Sequence, residues 1–116
     1  RVHMPGRVKN PYPWLARASV FVLSSRWEGY PNVLLEAQYL KRPIVTTEYD
    51  RSVRQILAFS RKEQFRVIPV AHPVMMADSI RELLVQKSAV YDDVTLNDMT
   101  GSALDDYEAV LTAGTA

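Results

Sequence analysis

Short β-rich runs alternate along this chain with segments of helical spacing, and no stretch breaks that alternation before residue 88. Two further observations point the same way. The first strand candidate, Val20 to Leu23, is a continuous apolar run, and turn signals separate each β-rich run from the helix that follows. Together they predict an α/β fold, a Rossmann-like parallel sheet with helices on both faces. In such sheets ligands bind beyond the carboxyl ends of the strands.

The first residues, Arg1-Val2-His3-Met4-Pro5, read as the end of a strand, so the chain is expected to be a piece of a longer protein, truncated on its N-terminal side. Asn10-Pro11 opens a short helix carrying Tyr12, Trp14, Leu15 and Ala18, because proline suits a first helical turn. Val20-Phe21-Val22-Leu23 is a continuous apolar run rich in β-branched and aromatic residues, which predicts a strand buried on both faces. Pro31 pre-sets the first turn of a helix running to about Lys41, with Val33, Ala37 and Leu40 toward the sheet. Asn32, Glu36 and Tyr39 share the adjoining face, and Arg42-Pro43 stops the helix.

Ile44-Val45-Thr46-Thr47 is the second strand. Asp50 is placed to cap a helix from about Arg51 to Ser60, with Val53, Ile56 and Leu57 inward. Phe65 to Ile68 is the third strand, ended by Pro69 and Pro73. Met76, Ile80, Leu83 and Leu84 mark a helix from about Val74 to Lys87. Residues from about 89 on read as a helical tail, with a break at Gly101 and a terminal helix over Asp105 to Thr112. The 116 residues allow a single domain with one core.

Composition bounds the function. A net charge of +1 gives no field for nucleic acid. There is no cysteine, hence no disulfide framework and no thiolate metal site. The apolar runs are too short to span a bilayer, and the opening residues lack a signal-peptide core. His3 and His72 have no metal-ligand spacing, and His72 reads as a loop residue. Met75-Met76 reads as core filler, Trp14 and Trp27 as packing at strand ends, and Arg51, Arg54, Arg61 and Lys62 as a solvated basic strip.

The chemistry concentrates in Ser25-Arg26-Trp27-Glu28-Gly29-Tyr30-Pro31-Asn32-Val33-Leu34-Leu35-Glu36-Ala37. A helix N-terminus offers unpaired N–H groups and a partial positive charge to a diphosphate, and the amides near Asn32 and Val33 are the expected donors. Gly29 removes a side chain where a ligand must approach. Glu28 precedes the helix, and Glu36 lies about 7 Å along it from Pro31. Helical side chains lean toward the N-terminus, so both acids can reach one cleft. A carboxylate accepts two hydrogen bonds side by side, which suits paired sugar hydroxyls. Taken alone, two glutamates eight apart are ordinary surface residues; the buried strand before them and the Gly-x-Pro between them are what set these two apart.

This segment resembles the C-terminal nucleotide-sugar-binding domain of retaining GT-B glycosyltransferases, a family 4-like group with an E-x7-E signature. Glu28 and Glu36 match the signature, and Ser25, Gly29, Tyr30, Pro31 and Ala37 match its surround. Ala18 to Leu23, Pro43 to Thr47 and the helix around Met76 to Leu84 resemble the neighbouring family elements, so the likeness covers roughly residues 2 to 88. It implies a partial GT-B fold and transfer of a hexose-type sugar from a nucleotide-diphosphate sugar to a glycan or lipid-linked acceptor, with retention. It implies that Glu36 binds the ribose, that Glu28 is the catalytic contact to the donor sugar, and that Gly29, Tyr30, Pro31, Asn32 and Val33 complete the donor site. Arg7 and Val8, after Gly6, are implied beside the base; Arg7, Lys9 and Arg26 otherwise read as surface charges.

No metal or cofactor is expected beyond the sugar nucleotide. Nucleic acid is not an expected partner. The acceptor would bind through an N-terminal domain outside this chain, and the family's diphosphate-neutralising Arg and Lys are implied earlier in this same domain, ahead of Arg1. Catalysis in this segment would rest on orientation and on stabilising the leaving diphosphate, and the isolated fragment is expected to be inactive. The implied location is the cytoplasm, with peripheral contact to the cytoplasmic face of a membrane for lipid-linked acceptors. Two departures from the family pattern stand out: Arg42 where glycine is usual, and Ser60 to Phe65 where a glycine-containing segment is usual. The alternative is a non-catalytic nucleotide-sugar-binding or interaction module of the same fold. A sugar-nucleotide epimerase ranks last, because its acid and base groups are not seen here.

Overall fold

The structure, a computed structural model, describes residues 1–90, and residues 1–86 form one compact unit. Its elements run α1 (Tyr12–Arg17), β1 (Phe21–Leu23), α2 (Asn32–Tyr39), β2 (Ile44–Thr47), α3 (Ser52–Leu57), a 3-10 turn (Lys62–Gln64), β3 (Phe65–Ile68) and α4 (Pro73–Val90). The strands form a parallel sheet in the order β1-β2-β3, which gives the α/β architecture expected from the alternation. The tail beyond about residue 89, with Gly101 and the helix expected over 105–112, lies outside the described residues.

Register sorts the side chains into two layers. Phe21 pairs with Ile44 and Ile44 with Phe65; Leu23 pairs with Thr46 and Thr46 with Val67. These positions share one face. The core on that side joins Leu34 and Ala37 of α2, Ile44, and Val53 and Leu57 of α3, with Leu15 of α1 packed against them. Two parallel crossovers in one direction place α2 and α3 on the same side, as right-handed connections require. The other face carries Val45 and Ile68, which pack on Leu83 of α4, with Val20, Met76 and Ile80 at the margin. Arg66 belongs to this second face, and its Nε meets Glu82 of α4 at 3.1 Å.

All four residues of β2 are buried, as befits the central strand. β1 differs from its expectation. It was expected to be buried on both faces, yet Val22 is 37% exposed. The physical reason is position: α4 packs on β2 and β3, while β1 lies at the edge of the described sheet away from it. The opening residues form no strand end; residues 1–11 have no regular structure, since an extended segment without a neighbour has no ladder to join.

On α2 the buried stripe is Leu34, Ala37 and, at its cap, Leu40; Val33 is only half-buried, so the inward face is turned one residue from the expected Val33-Ala37-Leu40. The helix ends at Tyr39, with Lys41 in the left-handed region at φ 53. The Arg42 N–H donates to Ala37 O at 2.9 Å and the Lys41 N–H to Gln38 O at 3.0 Å. That pair of bonds is a Schellman cap with lysine at the position glycine usually takes. Glycine would therefore belong at 41 on conformational grounds, and Arg42 is at no such disadvantage.

α3 stops at Leu57, three residues before the expected end. The Asp50 carboxylate accepts from the Ser52 N–H at 2.6 Å and from its hydroxyl, so it caps the helix from one residue before the assigned cap position. Pro73 begins α4 instead of ending β3, and the His72 carbonyl accepts from the Met76 N–H at 3.0 Å. Leu84 faces outward on α4, as does Met75; Met76 and Leu83 are the inward residues. Among the described residues, no helix is long and apolar enough to cross a membrane.

Candidate functional site

The loop from Ser24 to Pro31 leaves the carboxyl end of β1 and enters α2, and the loop from Glu48 to Arg51 leaves the carboxyl end of β2 beside it. One hydrogen bond fastens the two. The Thr47 hydroxyl donates to the Ser25 carbonyl, while the Ser25 hydroxyl donates to the Glu28 carboxylate. β2 thus holds the backbone of Ser25, and Ser25 holds the half-buried acid. A threonine in a buried strand needs such a partner for its hydroxyl.

Pro31 is buried, with φ −83 and ψ 67. Those angles describe an inverse γ-turn, and the Asn32 N–H donates to Tyr30 O at 2.9 Å across it. The Asn32 amide is therefore already engaged, contrary to the expectation that it faces a ligand. Leu34 N–H is taken by Pro31 O at 3.0 Å. Between them, the Val33 N–H has no partner among the described residues, and no side chain caps α2. The open donor of this helix start is Val33.

Glu36 sits in the second turn of α2, half-buried. Its Oε1 accepts from the Tyr12 hydroxyl of α1 at 3.3 Å. Sequence reasoning did not single out Tyr12 for this site; its offset of 24 positions leaves no local signal. Glu36 is supported by Tyr12 and Glu28 by Ser25, so each acid has its own hydrogen-bonded support.

Gly29 does not need its freedom for the fold. Its φ is not left-handed, and a Cβ built on it would meet nothing within 4 Å. Space is open there. Trp27, flanking Glu28, is 80% exposed, and Tyr30 also projects into solvent. Trp14 is exposed as well, with its ring stacked on His3 at 6.2 Å and 6°. Neither tryptophan packs a strand end as expected. Arg7, Lys9 and Arg26 are exposed and Val8 is half-buried. Of the basic strip, Arg54 is committed to Glu48, with bonds from Nε and Nη2 to both carboxylate oxygens. Each partner favours the other's charge: the Arg54 guanidinium holds Glu48 below the usual carboxylate range, and Glu48 raises Arg54.

Tyr49, in the loop after β2, packs its ring on the first core layer. Burial pushes its phenol above the usual range, with smaller pushes from Asp50 and Glu28. The Glu28 carboxylate is therefore within electrostatic reach of it.

Comparison with known proteins gives the family of the chain. Residues 1–86 match the family described as "Glycosyl transferases group 1". Over 56 residues, 48% of the chain, it is 41% identical to an uncharacterized glycosyltransferase of Methanocaldococcus jannaschii, of which that stretch is 14%. Over 47 residues, 40% of the chain, it is 43% identical to a Vi polysaccharide biosynthesis protein of Salmonella typhi, of which that stretch is 8%. The matches thus span a small part of either relative's length. No solved structure matches. The chain belongs to the group 1 glycosyl transferase family.

Proposed function

We propose that this chain is the donor-binding part of a longer retaining glycosyltransferase that moves a hexose-type sugar from a nucleotide-diphosphate donor to a glycan or lipid-linked acceptor. The observation that carries the reading is the strand–loop–helix at the carboxyl edge of a parallel sheet, with an acid in the loop and an acid one turn into the helix, in a chain of this family. In the proposal Glu36, steadied by Tyr12, accepts the paired ribose hydroxyls. Glu28, steadied by Ser25, accepts a hydroxyl of the transferred sugar. The unpaired Val33 N–H and the positive end of α2 face the diphosphate, where negative charge grows as the glycosidic bond breaks. The open space at Gly29 lets the donor approach the backbone.

The chemistry asked of this half is binding, orientation and charge stabilisation, and the reading uses no metal or cofactor beyond the donor. The acceptor and its binding domain lie outside this chain in the proposal. Likeness to a Vi polysaccharide biosynthesis protein supports a polysaccharide acceptor. A cytoplasmic enzyme touching the membrane only peripherally fits lipid-linked acceptors.

The test is calorimetry on the full-length protein with UDP-glucose, GDP-mannose and ADP-glucose. Glu36→Ala is expected to cost about 1.5–3 kcal/mol of donor affinity, the worth of hydrogen bonds to a charged group. Unchanged affinity would remove the ribose assignment.

A further inference from the structure

Among the described residues, one buried side-chain polar atom lacks a hydrogen-bond partner, and it is the Tyr49 hydroxyl. Native interiors rarely leave such a group unpaired, so an orphan asks for a partner in some other state of the molecule. The Tyr49 ring is part of the first core layer, alongside Leu23 and Ile44. The phenol therefore cannot turn to water without stripping apolar contacts.

Two carboxylates act electrostatically on this phenol, Asp50 and Glu28. Asp50 is spent: it is exposed and accepts from both the N–H and the hydroxyl of Ser52. Glu28 is not spent. Its Oε1 takes the Ser25 hydroxyl, and its Oε2 is outside that bond. The loops that carry Tyr49 and Glu28 are already fastened by Thr47 and Ser25, two residues before Tyr49 and three before Glu28. The orphan donor and a charged acceptor with one oxygen outside the Ser25 bond thus lie on two loops that are tied together.

We propose that Tyr49 is a positioning residue for Glu28, its phenol donating to the free carboxylate oxygen when a nucleotide-diphosphate sugar engages the loop. This rests on the reading of Glu28 given above. With Ser25 on one oxygen and Tyr49 on the other, the carboxylate is held in a single plane. Its remaining lone pairs then point at one sugar hydroxyl, so donor sugars that differ at that hydroxyl are separated by geometry as well as by charge. A phenol is a fitting holder, because burial raises its pKa and keeps it a protonated donor at neutral pH.

The experiment is a double-mutant cycle on the full-length protein, with UDP-glucose, GDP-mannose and ADP-glucose as calorimetric probes. Tyr49→Phe keeps the ring and its packing. It is expected to weaken the probe that binds by roughly tenfold, the loss of one hydrogen bond to a charged group. In a Glu28→Gln background the same change should cost less than about twofold, and in a Glu36→Ala background about the full tenfold, because only Glu28 shares the contact. Equal losses in all three backgrounds, or none, would overturn the assignment. So would a lowered melting temperature without coupling to Glu28, which marks a packing role alone. If Glu28→Gln and Glu36→Ala weaken binding while Tyr49→Phe does not, only the Tyr49 assignment fails. If those two acids are themselves silent, or no probe binds the wild type, the donor-site reading fails and takes this one with it.

Discussion

Glu36 shows how little of a proposed binding residue's surroundings is visible at its own position. Its spacing from Glu28 can be read directly, but Tyr12, which donates to it from α1, cannot. Removing the Tyr12 hydroxyl as Tyr12→Phe should weaken donor binding by about 0.5–1.5 kcal/mol, less than Glu36→Ala, because a steadying bond is lost while the charge stays. Calorimetry on the two variants side by side checks the order. Gly29 gives the complementary case. Nothing in the protein crowds a Cβ there, so Gly29→Ala should change folding stability by no more than about 0.5 kcal/mol. On the proposed donor site it should nonetheless weaken donor binding, because the added methyl would fill space assigned there to the donor; thermal melts and titrations on one sample separate the two effects. Trp14 and Trp27 were misread from sequence because an aromatic beside an apolar run is ordinarily packed, and whether a ring lies over the run or beyond it depends on elements far away in the chain.

The elements themselves were largely legible, since periodicity and turn chemistry are local. β2 and β3 fall on the expected residues, and the helix starts near Pro11, Pro31 and Asp50 follow their signals. What failed was rotation and length. The inward face of α2 is Leu34 and not Val33, because Pro31 spends its ψ on a γ-turn and the helix begins a residue later than a proline at its first position would allow. Lys41 carries a left-handed backbone that costs a side-chain-bearing residue about 1 kcal/mol, so Lys41→Gly should stabilise the fold by about that amount in a denaturant titration. The cap of α3 gives a pH signature. Hydrogen bonds from the Ser52 hydroxyl and N–H lower the Asp50 pKa below its ordinary 3.8. That contribution is complete above 3.8 and disappears as pH falls through the lower folded value. Melting followed from about pH 6 to about pH 3 should therefore show an acid loss that Asp50→Asn makes shallower.

At the scale of the molecule, the sheet's order explains both its strengths and its open side. β2 is buried because it has a strand on each flank and a helical layer on each face, while Val22 is open because α4 reaches only the neighbouring strands. A run of four apolar residues cannot announce which strand it will become; the count of neighbours is a property of topology. The same topology brings the Glu28 loop and the Tyr49 loop to one edge, tied by Thr47, which is why the acid, the open Val33 amide and the orphan phenol belong to one account.

Amide chemical-shift mapping of the full-length protein during titration with UDP-glucose, GDP-mannose and ADP-glucose tests that account most directly. The largest changes should fall on Gly29, Val33 and Glu36, with the Val33 amide moving as it gains an anionic acceptor, and positions such as Lys62 and Arg81 should stay still. Shifts centred away from the start of α2, with Val33 unmoved, would contradict it.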